Sequence, residues 1–597
     1  MSRPLLAVSV GAGALVIGAG LGGGPLLMRD AVSTPRSFLT DAALGLGENP
    51  ARAVPQDALL AAASTVVPGS ILVVALTWIA LALSGVGAGL LAGRVLIDAR
   101  WAPQCAAALA AIWNPWVAER MMQGHWSLLA GYAAIPWIFV AAERIWRSDR
   151  TGWPLLWVAV FGAGLTPTGS VLAGIVVLAT VVMPRATGLR QSALAVLAVV
   201  AGALPWLVAT VLNSAGILGD PAGAQAFSLR AEPGLGRVLT ALGMGGIWNA
   251  DAVPASRTTW WAAVGTLLLL ALVAVGWVVA GRDLGRDSSR GHSSLDCRNG
   301  APECAHPGDR GAGLPSRNAK RILIIAAALA LSTVALVVFA STPPGLSAIG
   351  WAVDHLPGAG LFRDTQKFLA LLLPATVIGV AGSVRGLTRL VPAGFAVALV
   401  ALLVVAPLPD AALRFHPVNL PADWVAVAQL VPKDQGAVAL WPPTMTREYS
   451  FASTSSLDPA RRLLRAPVLE SGALVVDGKT VDADPTRVSA QVELALAEGA
   501  GPTELASHGV GWLLVEEPER NGVPAGFGTD RPVFQGEYLA LYRIPGPVIA
   551  AGASPVRRGA VVGAHVAWVL GLGIALALLG ATSRSAGRAR ARATLDS

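Results

Sequence analysis

Long apolar runs recur along this 597-residue chain, each closed off by charged or turn-forming residues, and nothing else in the sequence restricts its fold as strongly. They lie at about 5–27, 70–93, 102–118, 126–143, 153–165, 170–184, 193–213, 259–280, 322–341, 368–383, 391–408 and 559–582. An α-helix rises about 1.5 Å per residue, so about 20 apolar residues cross a hydrocarbon layer ~30 Å thick with the backbone satisfied internally. The recurrence predicts an α-helical polytopic membrane protein with about twelve transmembrane helices; the pair around 153–184 is short and can be counted differently. Charged side chains make up only 13% of the chain, about half the share of a soluble protein. The first run exceeds the roughly 7–15 apolar residues of a secretory signal and reads as the first span.

A net charge of +8 would suggest nucleic acid as a partner of a soluble chain. In a multi-span protein, excess Arg marks cytoplasmic loops instead, and no nucleic-acid partner is expected. One set of loops carries Arg94 and Arg100; Arg144, Arg147 and Arg150; Arg185 and Arg190; the stretch Arg282 to Arg321; Arg385 and Arg389; and the tail from Arg584 to Arg592. This predicts a plasma-membrane protein with both termini cytoplasmic, although Arg557 and Arg558 break the pattern. Three predicted domains follow: a multi-pass core over 1–408, an extracytoplasmic α/β domain over 409–555, and a last span with a basic tail over 556–597. In the middle domain, helix-like "PADWVAVAQLV" precedes strand-like "GAVALWP", and "SAQVELALAEG" precedes "GVGWLLVEE" and "YLALYRIPG".

The stretch from Gly281 to Arg321 is rich in Gly, Ser, Pro and Arg without a hydrophobic period, so it reads as a disordered linker. Its Cys297, Cys304, His292 and His306 match no zinc spacing. With Cys105 they are too few and scattered for a disulfide framework. No cofactor is indicated; a divalent metal is compatible with the sequence but not called for.

The chemically interesting polar residues gather on the opposite, extracytoplasmic face. In "LLMRDAVSTPRSF", Arg29 and Asp30 follow the first span, where a carboxylate can take a proton from a hydroxyl near the lipid headgroups. They can equally end a helix and pair with each other. Asp41, Glu48 and Asp57 share that loop, and the residues around Asp57 read as an amphipathic helix along the surface. In "WNPWVAERMMQGHWSLLAGYAAIPW", Trp113, Trp116, Trp126 and Trp137 read as interfacial anchors around Glu119, Arg120 and His125. These three can bind a polar headgroup or sugar, or form a solvated turn. In "DHLPGAGLFRDTQKFLALLLP", Pro357, Gly358 and Gly360 predict a bent entry to the next helix. Arg363 and Lys367, four apart with Asp364 beside them, would share a helix face and suit a phosphate at the membrane boundary. Snorkelling, or pairing with Asp364, is the alternative.

The layout resembles the GT-C superfamily of polyprenyl-phosphate-sugar-dependent glycosyltransferases, in which a carboxylate of the first external loop lies just after the first span. The "RDTQKF" motif, with "NPWVAERMMQGHW" upstream, is similar to elements of actinobacterial multi-pass envelope proteins related to mycobacterial arabinofuranosyltransferase D. The likeness covers the membrane portion in topology and only short motifs in residues. It implies Asp30 as the catalytic base, by position. Many members have two acids in that loop motif; here there is one. Which sugar is carried does not follow from the resemblance; the expected reaction is inverting transfer of a sugar, of arabinofuranose or mannose class, from a polyprenyl-phosphate donor to an envelope glycan or glycolipid. Arg363 and Lys367 would hold the donor phosphate with help from Arg120 and His125, and Arg29, Asp57, Glu119 and Asp364 would support them. A transporter or flippase of a lipid-linked precursor, or a non-catalytic envelope scaffold, are the alternatives.

Overall fold

A computed structural model describes residues 2–96, 100–184, 188–213, 219–293, 313–405, 415–476, 478–546 and 552–595. In chain order the elements are α1 (Arg3–Ile17), the hairpin β1 (Leu26–Met28) and β2 (Ala31–Ser33), α2 (Gln56–Ala63), α3 (Gly69–Val95), α4 (Trp101–Ile112), α5 (Pro115–Met122), α6 (Leu128–Trp146), α7 (Gly152–Ala163), α8 (Pro167–Val177) and α9 (Leu189–Leu212). Two short helices, α10 (Gly223–Ala226) and α11 (Gly236–Leu242), lead to α12 (Trp261–Ser293), α13 (Gly313–Ala340), α14 (Pro343–His355), α15 (Leu373–Leu387) and α16 (Ala393–Val405). A long helix, Pro555–Leu595, ends the described chain.

Helix forms in all twelve apolar runs, but eight helices among the described residues are long and apolar enough to cross a membrane. The expected count of about twelve is not confirmed among the described residues, where α4, α7 and α8 are 11 or 12 residues long. Small residues let the helices close up, as expected where no hydrophobic effect drives helices together. Gly276 of α12 lies against Gly379 and Gly382 of α15, and a Cβ on Gly276 would collide with the Gly379 carbonyl. The expected linker is shorter than its composition suggested, because α12 continues to Ser293 and α13 starts at Gly313. Cys297, Cys304 and His306 lie outside the described residues.

The α/β region stands at one end of the bundle. Its four-stranded sheet has the order β3 (Ala437–Trp441), β8 (Val510–Glu516), β10 (Leu539–Arg543), β9 (Phe534–Gln535); β3 runs parallel to β8, and β10 antiparallel to it. The central strand β8 is buried throughout. Alternation sends Trp512 and Leu514 to one apolar cluster, with Trp424, and Leu513 and Val515 to another, with Leu496 and Phe527. Two further hairpins, β4 (Thr446–Arg447) with β5 (Ser456–Leu457) and β6 (Leu474–Val476) with β7 (Lys479–Val481), reach toward the helices. Phe415 is buried against Gly20 beyond α1, and the Val418 N–H donates to the Pro25 carbonyl at 2.7 Å.

At the bundle's other end, Glu143 is buried between Arg94 and Arg147, and Arg385 pairs with the buried Asp283 at 3.0 Å. These acids neutralise part of the Arg-rich set read as cytoplasmic.

Candidate functional site

Three segments far apart in sequence meet beneath the α/β region. The first is the β1–β2 hairpin. The sequence Gly22-Gly23-Gly24-Pro25 cannot continue a helix, so the last apolar residues of the first run form β1 rather than the end of a span. Met28 pairs with Ala31, which makes Arg29 and Asp30 a two-residue turn with Arg29 at φ 49°. The turn is held from both sides. Arg29 N–H donates to the Ser455 carbonyl at 2.8 Å, the Leu457 N–H donates to the Arg29 carbonyl at 2.9 Å, and the Asp30 N–H reaches the Gln123 carbonyl at 3.3 Å.

The second segment is α5. Asn114 caps it, its Oδ1 accepting from the Val117 N–H at 3.1 Å, and Pro115 takes the first helical position. The Asn114 amide donates back to the Ala110 carbonyl at 2.9 Å and to Tyr132 at 2.8 Å. This Asn-Pro pair splits the run expected to be one span over 102–118. Glu119 and Arg120 are 0% exposed, so the solvated-turn reading fails, and Trp116 and Trp126 are buried rather than interfacial. Gly124, at φ +83°, ends the segment against the acid hairpin, where a Cβ would meet the Met28 carbonyl at 2.7 Å and the Asp30 nitrogen at 2.9 Å.

The third is the entry to α15. Gly358 at φ +82° turns the chain, and residues Thr365–Leu372 wind as a 3₁₀ helix before the α-helix begins. With three residues per turn, positions i and i+3 stack. Lys367 therefore stands over Asp364, with Nζ 3.5 Å from Oδ2. The expected pairing of Arg363 with Lys367, which assumed α-helical spacing, is corrected: Arg363 turns away to Asp482 of the α/β region at 2.5 and 2.6 Å, over the Phe227 ring at 4.4 Å.

Together the segments build a connected polar cluster. Asp30 Oδ2 lies 2.9 Å from His125 Nε2, and His125 Nδ1 lies 3.2 Å from Arg120 Nη1. Arg120 donates to both Asp364 oxygens, at 2.9 and 3.2 Å, and to Gln366 Oε1. Gln366 donates to Glu119 at 2.8 Å, and Glu119 also accepts the Gly246 and Ile247 N–H groups at 3.0 and 3.1 Å. Trp116 stacks on Tyr132 and donates to the Lys367 carbonyl at 3.2 Å. The Asp30 side chain is 39% exposed, so the cluster opens to solvent at the acid.

Burial by itself would raise the Asp30 carboxyl, but the His125 hydrogen bond, the Lys367 ammonium and Gln123 outweigh it and hold it below the ordinary value. Asp364 is held well below the carboxylate range, burial being overcome by Arg120 and Lys367. Burial pushes His125 down; Asp30 opposes this, and Lys367 and Arg120 add to it. Asp30 is thus held as the carboxylate.

The other named residues have different partners. Asp57, in α2, pairs with Arg462 of the α/β region at 3.1 Å, and Arg29 with Asp251 at 3.1 Å. Arg120 and His125, read as phosphate helpers, face protein carboxylates. Gln366 and Gln123 were given no role from sequence, although Gln366 sits inside the "RDTQK" cluster. Among the described residues no group of three or more His, Cys, Asp or Glu is placed to hold a metal ion.

An apolar cavity of about 380 Å³ opens between α4, α12, α15 and α16, lined by Ala110, Trp261, Leu268, Leu269 and Leu402, with Asn114 and Arg257 at its polar margin. It touches the N-terminus of α5, and the ion cluster sits at the C-terminus of the same helix, roughly 12 Å away.

Neither a family model nor a curated protein sequence matches the chain. Among solved structures, arabinofuranosyltransferase AftD from mycobacteria, determined by single-particle cryo-EM, is similar with a TM-score of 0.54 at 15% sequence identity, over 94% of this chain and 44% of that one. The chain thus spans less than half of that neighbour's length, and what the two share over it is the fold.

Proposed function

We propose that this chain is a membrane glycosyltransferase that moves a sugar from a polyprenyl-phosphate donor to an envelope glycan or glycolipid. The observation that carries the proposal is the meeting of Asp30 with Lys367 through His125, Arg120 and Asp364, at the mouth of a span and one short helix from an apolar cavity. Asp30 removes the proton of an acceptor hydroxyl, whose oxygen forms a bond to the anomeric carbon as the bond to the lipid phosphate breaks, inverting that centre. The phosphate leaves as an anion and needs a cation more than a proton, and Lys367, whose ammonium lies 3.5 Å from Asp364 Oδ2, supplies it. Arg363 is engaged by Asp482 and has no part in this step. The donor's prenyl chain occupies the cavity beside α12. The reaction face is extracytoplasmic, as the loop charges imply. A shared fold with an arabinofuranosyltransferase supports the class and leaves the sugar open, arabinofuranose or mannose.

The test is transfer in membranes that contain the protein, supplied with radiolabelled polyprenyl-phosphate arabinose or polyprenyl-phosphate mannose. Label should pass to an envelope glycan with one of the two donors. No transfer from either, with donor flipping detected instead, would overturn the proposal in favour of a transporter.

A further inference from the structure

The His125 imidazole stands between two partners of unlike character. Its Nε2 is 2.9 Å from Asp30 Oδ2, and its Nδ1 is 3.2 Å from Arg120 Nη1. A guanidinium carries donors and no acceptor, so the hydrogen between Arg120 and His125 belongs to Arg120 and enters the Nδ1 lone pair. Nδ1 then bears no proton. The ring's one remaining proton sits on Nε2 and is donated to the Asp30 carboxylate.

An imidazolium does not fit this setting. It would turn an Nδ1–H toward an Nη1–H, bringing two donors and two positive charges together, and Lys367 would add a third. The charged and titratable groups facing the ring are Asp30 from the hairpin, Arg120 from α5, and Asp364 and Lys367 from the 3₁₀ segment. Arg120 cannot swing away to relieve the clash. It is wholly buried, and Asp364 and Gln366 hold the guanidinium in place.

We propose that His125 is a positioning residue: a neutral imidazole locked as the Nε2–H tautomer by Arg120, which aims the Asp30 carboxylate and neither takes nor gives a proton during turnover. The relay runs from Asp364 at the mouth of the span, through Arg120 and His125, to Asp30. It explains why a histidine stands beside an acid that is already ionised. The ring's task is to fix direction, and Asp30 alone receives the acceptor's proton. The assignment of Asp30 as base rests on the function proposed above; the tautomer rests only on the contacts.

Glutamine separates this role from acid–base chemistry. A carboxamide presents an acceptor and a donor at about the separation of the two ring nitrogens, so His125→Gln can accept from Arg120 and donate to Asp30, yet it cannot titrate. Misaiming a reacting group by about 1 Å costs about 100-fold, and His125→Ala should lose about that much sugar transfer. His125→Gln should recover all but about threefold, the size of one imperfect hydrogen bond. The acidic limb of its pH–rate profile should stay where the wild type has it. His125→Gln as inactive as His125→Ala would overturn the positioning role.

A second measurement does not need turnover. Nitrogen-15 NMR of histidine-labelled full chain in nanodiscs, assigned by the signals lost in His125→Gln, reports which ring nitrogen is protonated. Protonated Nε2 with bare Nδ1 at neutral pH is the expected result; an imidazolium or the Nδ1–H tautomer would overturn the proposal. Should transfer prove absent altogether while this tautomer is found, the transferase reading fails and the geometric lock stands.

Discussion

Asp364 accepts two hydrogen bonds from Arg120, at 2.9 and 3.2 Å, across 244 residues of chain, and the same carboxylate lies 3.5 Å from Lys367 Nζ. One acid therefore ties together the arm that leads to Asp30 and the cation at the mouth of the span. Its removal should affect both stability and catalysis.

Asp364→Ala leaves the buried Arg120 guanidinium without its counter-ion, a loss of the kind that costs about 3–5 kcal/mol. The unfolding midpoint of the detergent-solubilised protein should fall clearly, and transfer with it. Lys367→Ala leaves Arg120 paired, so its midpoint should change little while its transfer rate collapses. Thermal unfolding measured beside initial rates separates the two.

Gly124→Ala places a methyl group against the Met28 carbonyl and the nitrogens of Asp30 and Ala31, at a backbone φ of +83° that L-residues rarely adopt. The αL conformation alone costs about 1–2 kcal/mol, and the collision must shift the acid turn. We expect at least about tenfold slower transfer, since displacement of a reacting group by a fraction of an ångström is enough for that. Initial rates at saturating donor and acceptor are the check.

Gly265 lines the apolar cavity, and a Cβ built there meets nothing within 4 Å. Gly265→Phe should therefore fold and fill the space assigned to the prenyl chain. The KM for the lipid-linked donor should rise while the KM for the acceptor stays put. Steady-state kinetics with varied donor chain length would read this directly, the effect growing with length.

Asp482 is held at about 2, burial being outweighed by its bonds to Arg363 and Arg52. A depressed carboxyl stabilises the fold above its unfolded value, near 3.9, and the contribution is lost as pH falls from about 4 toward 2. The latch between the β6–β7 hairpin and the span mouth should thus be intact at neutral pH and weaken only in strong acid. Asp482→Asn should open it at neutral pH, seen as faster hydrogen exchange in Lys479–Val481 and in α10.

Much of this architecture is legible along the chain, and what is not has identifiable causes. Apolar length marks the helices, because a membrane helix needs only its own residues. The strands Ala437–Trp441, Val510–Glu516 and Leu539–Arg543 fall in short, mostly apolar runs flanked by Gly on one side and Pro or Glu on the other. Pairing is different. Spacing by four assigns Arg363 to Lys367, and nothing local announces that the helix begins as a 3₁₀ segment that matches Lys367 to Asp364 instead. The charges Glu119 and Arg120 look solvated on eight residues of sequence, since the groups that satisfy them, the Gly246 and Ile247 N–H groups and Asp364, lie over a hundred residues downstream. Asn114-Pro115 is a readable helix start, masked by the apolar residues on either side of it.

The sharpest measurement is the initial rate of sugar transfer by Asp30→Asn, with radiolabelled polyprenyl-phosphate sugar and full-length protein in nanodiscs. The amide can still accept from His125 but cannot take a proton. Loss of general-base catalysis should slow transfer by about 10²–10⁴-fold, with the donor KM and the unfolding midpoint near their wild-type values. A folded Asp30→Asn protein that transfers sugar at the wild-type rate would contradict the assignment of this cluster as an active site.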